Sequence, residues 1–497
     1  MPSLISQAQM QLKRVAVVDG DQTYTYQNLL ATSHEVASAL LAKQFDLIEA
    51  RVAFMVPAGI DYINVQWGIW RAGGIAVPLC TLHPLPSIRY VLEDTAAEIL
   101  VVSPEYESML APLAGELDLR LIRLQDLLNH SQLLELPMVN AERRAMILYT
   151  SGTTSSPKGV VTTHANIASQ INTLVEAWDW QEEDHILCVL PLHHVHGIIN
   201  VMSCALWVGA SVEFLPKFSA ERVFDIFLTG QVNLFMAVPT IYYKLIAYWE
   251  KQSPNWQEQV THCLTQFRLM VSGSAALPIS VLEKWKRISQ HTLLERYGMT
   301  EIGMAVSNSY HGERIPGHIG RPLPAVQLRL VDELGKLVPD GQVGEIQIKG
   351  PSVFKEYWNK PEKTVEAFTR DGWFKTGDMA LVSEEGYYRI LGRNSVDIIK
   401  SGGYKISALE IEEILRQHPQ INDCGVVGIP DEEWGEIIVA ALVSKEEKID
   451  LDALREWLKS QMPSYRLPRK YLFLEDLPRN TLGKVTKNEI KELFVSN

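Results

Sequence analysis

The sequence predicts an α/β protein: a large N-terminal domain of α/β subdomains closed by a small β-rich subdomain, then a small, mobile α+β C-terminal domain. Three observations carry this reading. Up to about residue 320, short apolar runs of strand length alternate with amphipathic segments of helical length, the pattern of a mostly parallel sheet. Beyond it, short strands separated by glycine turns take over. Past Arg393 comes a compact unit of roughly 100 residues, enough for a small domain. The whole chain of 497 residues is too long for one core. The boundary is expected in the polar connector Gly392–Ser395, dividing residues 1–392 from 393–497.

Element by element, residues 26–43 carry apolar side chains at helical spacing, Val52–Val56 is an apolar run of strand length, and Asp61–Arg71 returns to helix. Gly73–Pro78 leads into a helix near Pro86–Glu93, and Ile99–Val102 is again strand-like. The alternation continues through Ile186–Val189, Asn200–Trp207 and Leu234–Val238. Val326–Val331, Gly344–Lys349 and Gly386–Leu391 are the short strands of the β-rich part. In the last unit IIKSGGYKI (398–406) reads as strand and turn, Ala408–His418 as helix, Asn422–Val427 as strand and Leu451–Gln461 as helix.

Composition narrows the function. Hydrophobic residues make up 46% and charged residues 21%, as in an ordinary globular protein. A formal charge of −13 leaves no basic stripe for neutralising nucleic-acid phosphates. The five cysteines, Cys80, Cys188, Cys204, Cys263 and Cys424, are scattered without a CxxC pair, which argues against a disulfide framework or a zinc site and for a reducing compartment. No apolar run reaches the roughly 18–20 residues of a spanning helix, so no integral membrane association is expected. The N-terminus lacks the layout of a signal peptide. A cytoplasmic location is expected, although Lys13 and Arg14 without early acids leave a weak organellar signal open.

The most informative segment is Tyr149–Gly159, YTSGTTSSPKG. Small Gly, Ser and Thr residues let backbone N–H groups and hydroxyls close around phosphate oxygens, and Lys158 adds a mobile positive charge. Ala145–Leu148 before it and Val160–Thr163 after it read as strands. The P-loop of ordinary NTPases needs G-x-x-x-x-G-K-[ST] running into a helix, and the spacing here is different. Three further segments carry chemistry. Glu295–Glu301 (ERYGMTE) offers an acid and a hydroxyl beside a glycine turn, suited to Mg²⁺ shared with phosphates. Lys375–Asp378 (KTGD), with Gly392–Arg393, offers a carboxylate for ribose hydroxyls. Pro478–Lys484 (PRNTLGK) puts a lysine near the C-terminus. Singly, each is more simply a turn or a surface charge.

In this order, and over nearly the whole chain, the motifs resemble the adenylate-forming superfamily of acyl-CoA synthetases, luciferases and peptide-synthetase adenylation domains. The resemblance implies ATP and Mg²⁺ as cofactors and coenzyme A as a substrate. It implies that Thr150, Ser151, Gly152, Thr153, Thr154 and Lys158 hold the β- and γ-phosphates, and that Gly273, Ser274, Ala275, Tyr297 and Gly298 surround the adenine, with Tyr297 stacking on it. Thr300 is expected at the α-phosphate, Glu301 on Mg²⁺, and Asp378 and Arg393 at the ribose. Lys484 is expected to bridge the acid and the α-phosphate. A carboxylate is a poor electrophile, so it attacks the α-phosphate of ATP to form an acyl-adenylate. Two anions must then approach, which demands cations and donors aimed at that phosphate. Thiol attack on the acyl carbon follows, after the C-terminal domain rotates and removes Lys484. Two departures stand out: Ser155 where the family commonly has glycine, and a hinge segment, GRNSVDIIKSGG, one residue longer than usual, with Ser395 or Asp397 in place of the usual Asp or Lys.

For the acid, Arg296 stands directly before Tyr297-Gly298, and LPLHHVHG (190–197) sets histidines at 193, 194 and 196, with His194 the best candidate to line the acyl channel. An alkyl pocket has no use for a guanidinium, because a buried unpaired charge costs several kcal/mol. A second carboxylate on the substrate supplies the partner. The competing reading is a structural ion pair between Arg296 and a nearby acid. The words HHVHGIIN and SGSAALP…ERYGMTEIGM look most like malonyl-CoA synthetases, which implies malonate or methylmalonate as the small-molecule carboxylate. A synthetase for a medium-chain or aromatic monocarboxylate is the alternative.

Overall fold

The computed structural model describes residues 2–150, 157–402, 404–444, 449–480 and 483–495. The predicted alternation resolves into two large sheets. One has nine strands, in the order Arg321–Pro322, Gly303–Ser307, Leu294–Met299, Leu269–Ser272, Leu234–Ala237, His185–Cys188, Ser211–Phe214, Val15–Asp19 and Gln22–Thr25. Its centre is parallel and its edges antiparallel. The other has seven strands, in the order Glu356–Tyr357, Lys158–Thr163, Arg144–Thr150, Ile75–Pro78, Arg51–Met55, Ile99–Val102 and Arg120–Arg123. The central strands of both are buried almost throughout, as parallel strands covered on two faces must be.

One apolar core joins the two sheets. Val17, Ile186 and Leu234 from the first meet Val52, Phe54 and Met146 from the second, with Leu29, Val36, Trp67 and Trp70 of the helices Tyr26–Leu41 and Ile60–Arg71 between them. A Cβ on Gly68 would lie 2.3 Å from Val36 Cγ1, so only glycine permits the close crossing of these helices. Thr25 starts the first with a reciprocal cap to Asn28, and Thr163 starts the helix His164–Ala177 in the same way with Asn166. Segment 196–208 is a continuous helix, buried through Leu206, whose first part, His196–Ser203, is wound as a π-helix. Such turns are rare and concentrate at functional sites.

The β-rich part is a four-stranded antiparallel sheet of Gln327–Val331, Gly344–Lys349, Phe374–Val382 and Tyr388–Arg393. Arg393 therefore still belongs to this sheet, where it pairs with Asp378. After it, the hairpin Ile398–Ser401 and Tyr404–Ser407, the helix Ala408–Gln417, the long strands Ile421–Asp431 and Gly435–Ser444, the helix Leu451–Gln461 and the strand Lys470–Phe473 enclose their own apolar cores. No helix of the described residues is long and apolar enough to cross a membrane.

At the entry to the parallel strands, buried Asp184 is held by Arg268 through Nε (2.9 Å) and Nη2 (2.5 Å), and by Asn233 Nδ2 (3.1 Å). This clamp joins the starts of three adjacent strands. Arg268→Met strands a buried carboxylate, and unfolding in urea is expected to show a loss of about 3–5 kcal/mol.

Candidate active site

The motif residues gather along the carboxyl ends of the parallel strands, where open α/β sheets leave a crevice for ligands. Thr150 ends one strand and Lys158 begins the next, the two residues facing each other across an antiparallel pair. The expected phosphate-loop residues Ser151, Gly152, Thr153 and Thr154 lie outside the described residues. Lys158 Nζ stands 5.0 Å over the ring of Tyr357. The hydroxyl of Tyr357 donates to Glu301 Oε1 at 2.9 Å. Glu301 is buried, and burial pushes its carboxyl above the usual range against the pull of that hydroxyl and of Arg393 and Lys158.

Asp378 completes the same group. Its Oδ1 accepts from Arg393 Nε at 3.1 Å and its Oδ2 from the Tyr297 hydroxyl at 2.6 Å. Tyr297 is thereby fixed at its hydroxyl end, on a strand whose neighbour Gly298 sits so close to Gly303 O (2.1 Å from an added Cβ) that no side chain fits. Thr300 lies half-buried in the turn that follows. KTGD is not a free turn: it lies within the strand Phe374–Val382, where Gly377 at φ +73° lets the chain turn without leaving the sheet.

A second group forms on the neighbouring strands. Arg296 is 3% exposed, and its guanidinium lies directly on Gly273, where an added Cβ would be 2.4 Å from Cζ. Arg296 Nη2 donates to Ser274 Oγ at 3.4 Å, and Ser274 Oγ stands 3.2 Å from His196 Nδ1. Ser274 itself adopts φ +69°, a left-handed conformation uncommon outside glycine and frequent at functional sites. Among the described residues no carboxylate pairs with Arg296, and its Nε has no hydrogen-bond partner. Burial alone pulls its pKa down to about 9. The structural ion pair weighed for Arg296 is therefore absent among these residues. Neighbouring Glu295 is buried too, one oxygen accepting from the Leu277 N–H at 3.4 Å, and burial pushes its carboxyl up to about 8.

His196, rather than His194, joins Arg296 through Ser274. The sequence set His196 among three histidines and favoured His194; a histidine opening an apolar helix was the available signal for His196. His194 packs on His193, their rings 4.2 Å apart, with His83 next in line. Lys484 is exposed on the loop after Asn480, whose side chain accepts the Lys484 N–H at 3.0 Å. This loop touches the large domain: an added Cβ on Gly483 would be 3.1 Å from Thr240 Oγ1, at the start of the helix Pro239–Trp249. That helix leaves the strand Leu234–Ala237, which pairs with the strand leading to Gly273. Ala275 is half-buried beside it. The arrangement offers a cation-rich cleft for phosphates, a carboxylate–arginine pair for a diol and a buried guanidinium for a second anion.

Burial, with repulsion from neighbouring rings, lowers the pKa of His194 to about 4 and of His193 to about 2, so these rings are neutral. In the unfolded chain they take up protons near pH 6.5, which the folded chain refuses. Stability is thus full above pH 6.5 and falls as pH drops toward 4; His194→Gln is expected to flatten the fall in the urea midpoint over that window.

Comparison with known proteins agrees with this geometry. A family model described as AMP-binding enzyme matches residues 4–358, and one described as AMP-binding enzyme C-terminal domain matches residues 410–484. The mitochondrial malonate–CoA ligase ACSF3 of Xenopus laevis is 44% identical, covering 98% of this chain and 91% of its own. ATP-bound MatB from Rhodopseudomonas palustris is 34% identical over 99% of both chains and superposes with a TM-score of 0.92. Apo MatB from the same organism superposes with a TM-score of 0.82 over the same share. In sequence along nearly its full length, and in fold, the chain belongs to the AMP-binding enzymes.

Proposed function

We propose that this protein is an ATP-dependent acid–CoA ligase, AMP-forming, whose acid is a small dicarboxylate, malonate or methylmalonate. The observation that carries the reading is Arg296: a buried guanidinium with no acid of its own, braced by Ser274 and flanked by His196. Leaving such a charge unpaired costs several kcal/mol, and the distal carboxylate of a diacid removes that cost with a bidentate pair. A fatty acyl chain would bury the charge further without pairing it. The named activity of the Xenopus laevis relative supports the same substrate.

In the first half-reaction one carboxylate attacks the α-phosphate of ATP and pyrophosphate leaves. Arg296 holds the other carboxylate, which orients the attacking one. Thr150–Thr154 and Lys158 take the β- and γ-phosphates, and Gly273, Ser274, Ala275, Tyr297 and Gly298 border the adenine. Asp378 accepts from the ribose hydroxyls, aimed by Arg393 and the Tyr297 hydroxyl. Thr300 and Lys484 donate to the α-phosphate region. Glu301 fits Mg²⁺ as a buried carboxylate facing the phosphate end, and among the described residues no three His, Cys, Asp or Glu side chains converge. The remaining ligands of an ion held there would come from phosphate and water, as Mg²⁺ prefers, and it would supply neutralisation of phosphate charge. In the second half-reaction the thiol of coenzyme A attacks the acyl carbon and AMP leaves. A division into residues 1–392 and 393–497 suits this, because Lys484 must withdraw before the thiol enters.

For the compartment we keep the cytoplasmic reading, supported by the five unpaired cysteines; the Xenopus laevis relative is mitochondrial by name. Subcellular fractionation decides between the two.

Acid-dependent pyrophosphate release, with malonate, methylmalonate, acetate and octanoate side by side, tests the function. The two diacids are expected to support turnover, and octanoate is not; the reverse order favours the monocarboxylate alternative. Arg296→Ala is expected to lower kcat/KM for malonate by roughly 10²–10³-fold, the scale of about 3–5 kcal/mol, with ATP binding little changed. Normal handling of malonate by that variant would defeat the dicarboxylate reading.

A further inference from the structure

Lys487, three residues past Lys484, opens the last helix, Lys487–Val495, and is 8% exposed. A lysine at a helix N-terminus is unfavourable to the helix itself, so its place there needs another cause. The cause is a pair of carboxylates. Its Nζ lies 2.6 Å from Asp397 Oδ1 and 2.7 Å from Glu412 Oε1. Asp397 belongs to the connector between the domains. Its Oδ2 accepts the Arg393 N–H at 2.9 Å, and its own N–H donates to Arg393 O at 2.7 Å. The fit is tight enough that a Cβ on Gly392, itself at φ +122°, would lie 2.3 Å from Asp397 Cβ. On the upstream side the Asn394 N–H donates to Gly377 O at 2.9 Å, in the large domain. Only Ser395 and Val396 separate a residue bonded to one domain from a residue ion-paired into the other.

The ion pairs continue from Lys487 toward Lys484. Glu412 accepts the Val426 N–H at 2.9 Å and pairs with Arg416 at 3.3 Å. Arg416 pairs with Asp423 at 3.3 Å, and Asp423 with Arg479. Arg479 Nη1 donates to Gly483 O at 2.7 Å, the residue beside Lys484. Three cations alternate with three carboxylates along a path from the connector to the lysine loop. Burial would raise the Asp397 carboxyl, yet Lys487 and the Arg393 N–H hold it below the usual range, so this end of the path stays charged.

We infer that Lys487 is a positioning residue for Lys484: through Asp397 on one side and the path Glu412–Arg416–Asp423–Arg479 on the other, it fixes the lysine loop to the connector as one rigid piece. The pivot then falls at Ser395–Val396, where rotation has to release the two Asp397–Arg393 hydrogen bonds, and wherever Asp397 is set, Lys484 follows. This inference rests on the proposed role of Lys484 in acyl-adenylate formation. Its consequence is selective. Thiol attack on a preformed adenylate has no need of Lys484, so loosening the loop should harm the first half-reaction and largely spare the second.

The test measures the half-reactions separately in the full-length enzyme: acid-dependent exchange of pyrophosphate into ATP with malonate, and thioester formation from supplied malonyl-adenylate and coenzyme A. Lys484→Ala sets the scale for a missing amine. Lys487→Met is expected to lower exchange on the order of 10²-fold, the cost of misplacing a reacting group by about 1 Å, and thioester formation only a few-fold. Lys487→Arg, which keeps the charge, should restore much of the exchange. Because Lys487→Met leaves buried Asp397 without its cation and Glu412 with Arg416 alone, Asp423→Asn breaks the path at a half-buried link and should give the same split on a folded protein. Equal losses in both half-reactions, or no loss in either, would overturn the inference. A wild-type enzyme that shows no exchange would instead defeat the function proposed above.

Discussion

A buried positive charge is the constraint around which the site is organised. Arg296 sits on a central strand with its guanidinium against the backbone of Gly273. That contact explains several features that look unrelated in the chain. Residue 273 must lack a side chain. Ser274 must turn into a left-handed conformation to bring its hydroxyl to both Arg296 and His196. The histidine beside it must stay neutral, because a second cation in the same dry space would add repulsion; burial and Arg296 itself keep its pKa well below the ordinary value. The fold maintains this strained arrangement from both sides, with the helix containing His196 on one and the strand pair at Ser272 and Glu295 on the other. A site that holds an uncompensated cation is prepared for an anion.

The second group of residues follows from the first by strand geometry. Successive side chains on a strand point to opposite faces, so Arg296 and Tyr297 serve different parts of one cleft. Tyr297 reaches across to Asp378, which ties the nine-stranded sheet to the β-rich sheet and aims Asp378 and Arg393 at one place. Glu301 and Tyr357 join this sheet edge to the strand that begins with Lys158 in the seven-stranded sheet. Three sheets therefore meet at the cleft: one brings Arg296 and Tyr297, one Asp378 and Arg393, and one Lys158 and Tyr357. The C-terminal unit brings Gly483 beside Thr240, on the same edge.

Much of this was legible in the sequence, and the losses have physical causes. Ile99–Val102 and Leu451–Gln461 were readable to the residue, since burial on both faces and a clean helical period leave strong patterns. The motif residues were readable as a set because their order is informative even where each alone is ambiguous. KTGD was harder: Thr, Gly and Asp are turn formers, and only pairing with neighbouring strands holds them in a bulged strand. His194 was favoured over His196 because the contact of His196 depends on Ser274, distant in the chain and set by an unusual backbone angle. Lys487 was missed for a simpler reason. A lysine near a polar C-terminus is ordinarily a solvated charge, and only the folded chain brings Asp397 and Glu412 around it.

A dicarboxylate substrate requires Arg296 to be held ready for its far carboxylate. The most direct measurement is a crystal structure of this enzyme with malonate and a non-hydrolysable ATP analogue. The distal carboxylate is expected within about 3 Å of the Arg296 guanidinium, with Ser274 beside it. A diacid bound with that carboxylate elsewhere, and Arg296 paired to an acid of the protein, would contradict it.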